Sequence, residues 1–357
     1  MGALPVLESI APRSSCFDAH ADVPAVDICI CTYRRPTVVD ALRAVASLEG
    51  RNELRARVVV VDNAEQPEAR AVVIAAAREL GLNLEYVHAP ASNISIARNA
   101  CLEAGRGEWI AFLDDDEFPS PGWLKALLAE ARRGEWDAVL GPVQAVYPNC
   151  APHWLQAGDF HSTRPVFIRG RIETGYTGNV LIRRSLIDCG GLRFQPELGR
   201  SSGEDVDFFY RFRDLGGRIG FATDALVYEP VPPERANLGW LLSRSFRAGQ
   251  TYGARLQAYS PSPFARTRDL LLASGKIMIC GLAAFIHLPQ AAHRNRFLTR
   301  AALHCGVVAR LIAVQGQVPR RKRRIDPAAP WGKIQAAEVN PSDTVPAKAA
   351  SNRSQSC

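Results

Sequence analysis

The chain has 357 residues, 47% hydrophobic and 22% charged, enough to bury a sizeable core and too apolar for a disordered protein. Its nine cysteines, an odd number with no C-x-x-C pair, fit a reducing compartment better than a disulfide framework or a zinc site. The net charge of +7 conceals an asymmetry: residues 261–357 hold 15 Lys and Arg against 4 Asp and Glu, and no zinc-finger spacing or aromatic RNA-binding signature points that basic end to nucleic acid.

Residues 1–25 read as an extension without a basic segment and apolar core, so no secretory signal is expected, and Val6 breaks a myristoylation pattern. This predicts a cytoplasmic protein. Strands are then predicted at Ile28–Cys31, Val58–Val61, Leu84–His88 and Trp109–Leu113, alternating with helices over Thr37–Leu48, Glu68–Leu80 and Ile94–Ala104. Near-continuous apolar strands between helices predict an α/β fold with a mainly parallel sheet covered on both faces, and such sheets bind ligands at the carboxyl ends of their strands. Tyr33, Asp62 and Asp114–Asp116 fall just past strand ends, so three separated segments are expected to meet in one cleft.

Pro142–Thr174 reads as loops near a second substrate. A strand over Gly178–Ile182 and helices over Asp205–Leu215 and Leu238–Gln257 follow, the first of these helices introduced by Ser201-Ser202-Gly203-Glu204. Leu270–Leu288 is a 19-residue apolar stretch with one charge, Lys276, of borderline length for spanning a bilayer. Asp269, Ala273, Lys276, Cys280, Ala283, Ala284 and His287 share one of its faces, which favours an interfacial or docking helix over a free span. Ala301–Val314 is a second apolar stretch, followed by Arg320-Arg321-Lys322-Arg323-Arg324. The organisation expected is an extension to residue 25, a catalytic domain over 26–259, an apolar and basic helical region over 260–325 that either anchors at the membrane surface or packs on the preceding domain as an ordinary helical subdomain, and a disordered end over 326–357.

Four adjacent carboxylates, Asp114-Asp115-Asp116-Glu117, end the fourth strand. They cannot all be buried unpaired, and a hard divalent cation, Mg²⁺ or Mn²⁺, would relieve their repulsion together with a substrate diphosphate. A solvated turn capping the helix near Pro121 is the competing reading. Asp62 follows four valines and could accept a nucleobase N–H, but taken alone it reads first as a structural turn cap. Arg98 reads as facing a phosphate, as bracing the acidic cleft or, as an isolated Arg more often is, as a solvated surface charge. Glu204-Asp205, at a helix start, is readable as helix capping or as a general base.

In order, the segments Cys31-Thr32-Tyr33-Arg34-Arg35-Pro36, Val61-Asp62-Asn63, Ile96-Ala97-Arg98-Asn99, Gly107 to Glu117 and Gly203-Glu204-Asp205 resemble those of inverting family 2 glycosyltransferases with the GT-A fold. Thr177-Gly178-Asn179-Val180-Leu181 and Val231-Pro232-Pro233-Glu234-Arg235 are similar to the bacterial exopolysaccharide glucosyltransferases of the succinoglycan type. The resemblance covers Val26 to Tyr259. It implies a nucleotide-sugar donor, UDP-glucose, and a lipid-linked oligosaccharide acceptor. It implies that Thr32, Tyr33, Arg35, Asp62, Arg98, Asp114 and Asp115 bind the donor, that Asp116 holds the metal, and that Gly178 and Asn179 contact the acceptor. Asp205 is the implied base, with Glu204 orienting it or touching acceptor.

Where many relatives carry a further metal-binding His, this chain has Val227-Tyr228-Glu229-Pro230, making Glu229 the candidate replacement. The Gln-x-x-Arg-Trp motif of processive synthases is absent, which implies one sugar added per acceptor. A nucleotidyltransferase would carry a Gly-rich loop after the first strand, and Thr32–Thr37 has no Gly. A sugar-nucleotide sensor would not need both Asp116 and Asp205.

Overall fold

Val58–Val61 are all buried because helices cover both faces of the strand they form. The computed structural model describes residues 25–200, 203–259, 262–313 and 335–338. In chain order the first half comprises β1 (Val26–Thr32), α1 (Val38–Ala46), β2 (Ala56–Asp62), α2 (Arg70–Glu79), β3 (Leu84–His88), α3 (Ile94–Ala104), β4 (Trp109–Asp114), β5 (Phe118–Pro119) and α4 (Trp123–Arg133). Next come β6 (Ala138–Leu140), β7 (Val143–Val146), α5 (His153–Gly158), β8 (Phe167–Ile168), β9 (Arg171–Ile172), β10 (Asn179–Arg183), α6 (Arg184–Gly190) and α7 (Glu204–Asp214). The remainder is β11 (Ile219–Phe221), β12 (Val227–Pro230), α8 (Leu238–Tyr259), α9 (Pro263–Ile286), α10 (Ala291–Ile312) and β13 (Gln335–Glu338).

Eight strands form the main sheet in the order β11-β6-β10-β4-β1-β2-β3-β13. β1, β2, β3 and β4 are parallel, as expected, but β10 runs antiparallel between β4 and β6. One apolar core lies between the sheet and α1, α2 and α4; the other packs Ala97 and Cys101 of α3 and Phe208, Phe209 and Phe212 of α7 on the opposite face. A small sheet, β5-β12-β7, holds the acidic turn after β4 against Glu229. The expected loop region thus contains one strand, a short helix and a hairpin, elements too short to show a hydrophobic period.

α10 packs on both α8 and α9. The α8–α10 crossing is close because it is made at glycines: a Cβ at Gly249 would strike the Leu303 carbonyl oxygen, and one at Gly306 that of Phe246. α9 is 24 residues long and is, by length and composition, the one helix among the described residues able to cross a bilayer. It turns Asp269, Ala273, Cys280 and Ala284 inward, with Ala283 and His287 half-buried, as the wheel predicted, while Lys276 stays exposed. Its outer face leaves Leu271, Met278, Ile279 and Phe285 in solvent, each at least two-thirds exposed.

Within the end expected to be disordered, Gln335–Glu338 forms an antiparallel edge strand on β3, satisfying backbone groups that an open edge would leave unpaired. The other residues of that end, the extension over 1–24 and the basic run Arg320–Arg324 lie outside the described residues.

Candidate active site

In the parallel register Thr32 stands beside Asp62 and Cys31 beside Asp114, so the carboxyl ends of β1, β2 and β4 open together. A cavity of about 510 Å³ lies there, lined by Thr32, Tyr33, Arg35, Arg98 and the Asp114–Asp116 run. Seven of the expected donor-site and metal residues are therefore in one place. Tyr33, 41% exposed, stands at the mouth.

The acidic run resolves its repulsion by splitting. Glu117 turns inward, where one carboxylate oxygen accepts the Asp114 N–H at 2.8 Å and burial pushes its pKa well above the usual range. Asp115 is buried and accepts the Thr32 hydroxyl at 2.7 Å; burial raises it to about 6. Arg35 reaches across the mouth, donating to Asp115 at 3.0 Å and to Asp116 at 2.6 Å.

α3 begins at Asn93, whose side chain caps the Ser95 and Ile96 N–H groups, and its second turn delivers Arg98 to the cleft. Arg98 is buried, pairs with Glu204 at 2.5 Å and lies 3.9 Å from Asp114. It is neither a surface charge nor a free phosphate ligand in this conformation: it joins the acidic run to the start of α7. There Gly203 takes φ +99°, with Thr251 of α8 packed where a side chain would go, and α7 opens with Glu204 against Arg98 and Asp205 next to it; neither carboxylate is among the residues lining the cavity, which Arg98 connects to them. Asp205 accepts the Val206 N–H at 2.7 Å, and burial, then the neighbouring Glu204, raises its pKa to about 6. Glu204 Oε2 is buried with no hydrogen-bond partner among the described residues.

Glu229 on β12 has its pKa raised by burial and then by Asp116 and Asp114; Arg235 is 3.9 Å away, and Glu229 is not among the residues lining the cavity. Among the described residues no three His, Cys, Asp or Glu side chains converge on one point. Mg²⁺ and Mn²⁺ nonetheless fit the donor set. Asp116 and Glu229 offer hard oxygens, a nucleotide diphosphate supplies others, and a cation would reverse the upward pKa shifts that burial and mutual repulsion impose on Asp114 and Glu229.

Three expected contacts are not supplied by this geometry. Asp62 is fully buried, and its oxygens accept the Ala64 and Ala69 N–H groups and the Tyr86 hydroxyl, so it caps a turn and does not face the cavity. Asn179 is also fully buried: its amide accepts Trp123 Nε1–H and donates to the Pro142 and Ala225 carbonyls, tying β10 to α4 and the small sheet. Gly178 passes so near Glu117 that a Cβ would lie 2.5 Å from its Oε1, a packing reason for glycine and not an acceptor contact. The sequence reading also missed Asn63, Ser92 and Asn93, which line the cavity. Asn63 follows the misassigned Asp62 and is held by the Ala89 carbonyl and the Asn93 N–H.

The pattern of Glycosyl transferase family 2 matches residues 27–191. The succinoglycan biosynthesis protein ExoM of Rhizobium meliloti (strain 1021) is 48% identical over 290 residues, 81% of this chain and 94% of that protein. The chain belongs to glycosyl transferase family 2. The transferase is also 28% identical to glycosyltransferase AglE of Haloferax volcanii, over 64% of this chain and 73% of that one. A crystal structure of GalNAc-T7 with UDP, GalNAc and Mn²⁺ superimposes with a TM-score of 0.50 at 14% identity, covering 69% of the transferase and 52% of GalNAc-T7, which shows the shared GT-A fold.

Proposed function

We propose that the enzyme transfers glucose from UDP-glucose, with inversion, to a hydroxyl of a lipid-linked oligosaccharide in bacterial exopolysaccharide synthesis. The observation that carries this reading is the Arg98 bridge: one buried guanidinium joins the acidic run to the Glu204–Asp205 pair, so a donor diphosphate and an acceptor hydroxyl would meet in a single cleft. The 48% identity to a succinoglycan biosynthesis protein supports the exopolysaccharide setting.

Thr32, Tyr33 and Asp115 line the side of the cavity where the nucleoside would lie. Asp116, with Glu229 as the candidate further ligand, would hold Mg²⁺ or Mn²⁺, whose Lewis acidity would stabilise charge on the departing diphosphate. Asp205 takes the proton of the acceptor hydroxyl as its oxygen bonds to the anomeric carbon and the carbon–diphosphate oxygen bond breaks on the opposite face. A single displacement inverts the centre, so an α-linked donor gives a β-linkage. Glu204, fixed through one oxygen by Arg98 and with its other oxygen buried and unpaired, would orient Asp205. The outward apolar face of α9 supports placing the enzyme at the inner face of the cell membrane, where such an acceptor is anchored.

The test is Asp116→Asn in the full chain. Mn²⁺-dependent UDP binding should weaken and sugar transfer should be abolished with the fold intact; undiminished transfer would remove Asp116 from the mechanism.

A further inference from the structure

β8 and β9 form a hairpin whose turn uses Arg169 at φ +50° and Gly170 at φ +78°, the paired left-handed geometry that matches strand twist. Its tip exposes three consecutive apolar side chains: Val166 is 68% exposed, Phe167 56% and Ile168 50%. The segment Arg164-Pro165-Val166-Phe167-Ile168-Arg169-Gly170-Arg171-Ile172 contains three arginines and no acidic residue. All three guanidinium-bearing residues are exposed, and none pairs with a carboxylate among the described residues. Nothing in the proposed transfer chemistry uses this hairpin.

Its root is rigid and lies against the helix that carries the base. Ile172 is buried in the core with Phe208, Phe209 and Phe212, Glu173 pairs with Arg213, and the Thr174 hydroxyl donates at 3.5 Å to the carbonyl of Val206, the residue after Asp205. An apolar tip in a collar of unpaired arginines complements an anionic lipid surface: the apolar groups enter the headgroup region while the guanidiniums meet lipid phosphates. Three adjacent exposed apolar side chains otherwise only cost solubility.

We propose that the hairpin Val166–Arg171 is a membrane-contact element, separate in sequence from α9, that seats the base helix over an anionic bilayer. Its purpose rests on the lipid-linked acceptor proposed above; the contact itself does not. Such a contact fixes the height of Asp205 above the lipid through α7, so the sugar end of a lipid-anchored acceptor is presented to the base.

The experiment is co-sedimentation of the full chain with vesicles of phosphatidylglycerol and phosphatidylcholine, and of phosphatidylcholine alone, with UDP binding measured in parallel. The triple variant Arg164→Gln, Arg169→Gln, Arg171→Gln should lower partitioning onto anionic vesicles on the order of ten-fold or more. It should leave neutral-vesicle partitioning and UDP affinity unchanged. The double variant Val166→Ser, Ile168→Ser spares the Phe167–Phe221 ring contact and should weaken binding to both vesicles, persistently at high salt. Wild-type partitioning by both variants overturns the inference, as does a changed acceptor KM in detergent with vesicle binding unaltered, or a wild-type protein that ignores anionic vesicles. Loss of UDP binding by the wild type would instead overturn the transferase reading and leave the partitioning result standing.

Discussion

Burial raises the Asp205 carboxyl to about 6, and Arg98 pulls in the opposite direction. On the proposed mechanism Asp205 must be deprotonated to act as the base, so kcat/KM for acceptor should be constant above that value and fall as pH drops through about 6. Arg98→Gln removes the cation and should move this acid limb to higher pH; a limb that stays in place would mean that Asp205 does not titrate in the rate-limiting step. The same shift has a stability consequence of fixed sign. A carboxyl whose folded pKa exceeds its unfolded one stabilises the fold only while protonated, and that contribution is lost as pH rises through about 6. Asp205→Asn should therefore raise unfolding stability at pH 7.5 by about 1 to 3 kcal/mol and have little effect below pH 4, as checked by urea unfolding at both values.

At this scale the sequence showed where the carboxylates sit but not what already occupies them. The places of Asp116, Arg98 and Asp205 in the chain were readable because Asp116 follows β4, Arg98 lies within α3 and Asp205 lies in the first turn of α7, elements whose period is clear. Asp62 and Asn179 were misread because their partners, Tyr86, Trp123 and the carbonyls of Pro142 and Ala225, are 24 to 56 residues away and belong to other elements. Glu117 looked equivalent to its three acidic neighbours, and only its inward turn onto the Asp114 N–H separates it from them.

Among the elements, β1 to β4 and the helices between them were predicted to within a few residues because buried parallel strands and amphipathic helices leave strong periodic signals. β6, β7, α5 and the β8–β9 hairpin were not, being two to six residues long. The α8–α10 crossing was invisible for a different reason: glycines at 249 and 306 have no hydrophobic signal, and their meaning lies wholly in the backbone carbonyls opposite them. Gly306→Leu should force the helices apart and cost about 1 to 3 kcal/mol or more, the usual penalty of overpacking. Gly275→Ala on α9, with open space around it, should be neutral or stabilising. Equal melting temperatures for Gly306→Leu and wild type would show that the two helices do not pack through this contact.

Seen whole, the molecule is a transferase domain carrying a three-helix layer in which α10 is the middle helix and α9 presents an apolar outer surface. Because α10 packs along α8 and Arg296 donates to the Gly158 carbonyl at 2.7 Å, removing everything after Tyr259 should expose core and destabilise the enzyme. The membrane question is better put to the outer face alone. Leu271→Gln, Met278→Gln, Ile279→Gln and Phe285→Gln together should reduce vesicle binding without changing UDP affinity. Unchanged binding by this variant would assign the membrane contact to other parts of the chain.

On the proposed mechanism the two acidic centres form one site with divided labour, donor on the acidic run and proton acceptance on Asp205. Acceptor-dependent UDP release and UDP-glucose affinity, measured side by side on wild type and Asp205→Asn, test it most directly. Unchanged donor affinity is expected, with turnover reduced on the order of 10² to 10⁴-fold. Weakened donor binding with normal turnover of bound donor would place Asp205 in the nucleotide pocket and contradict it.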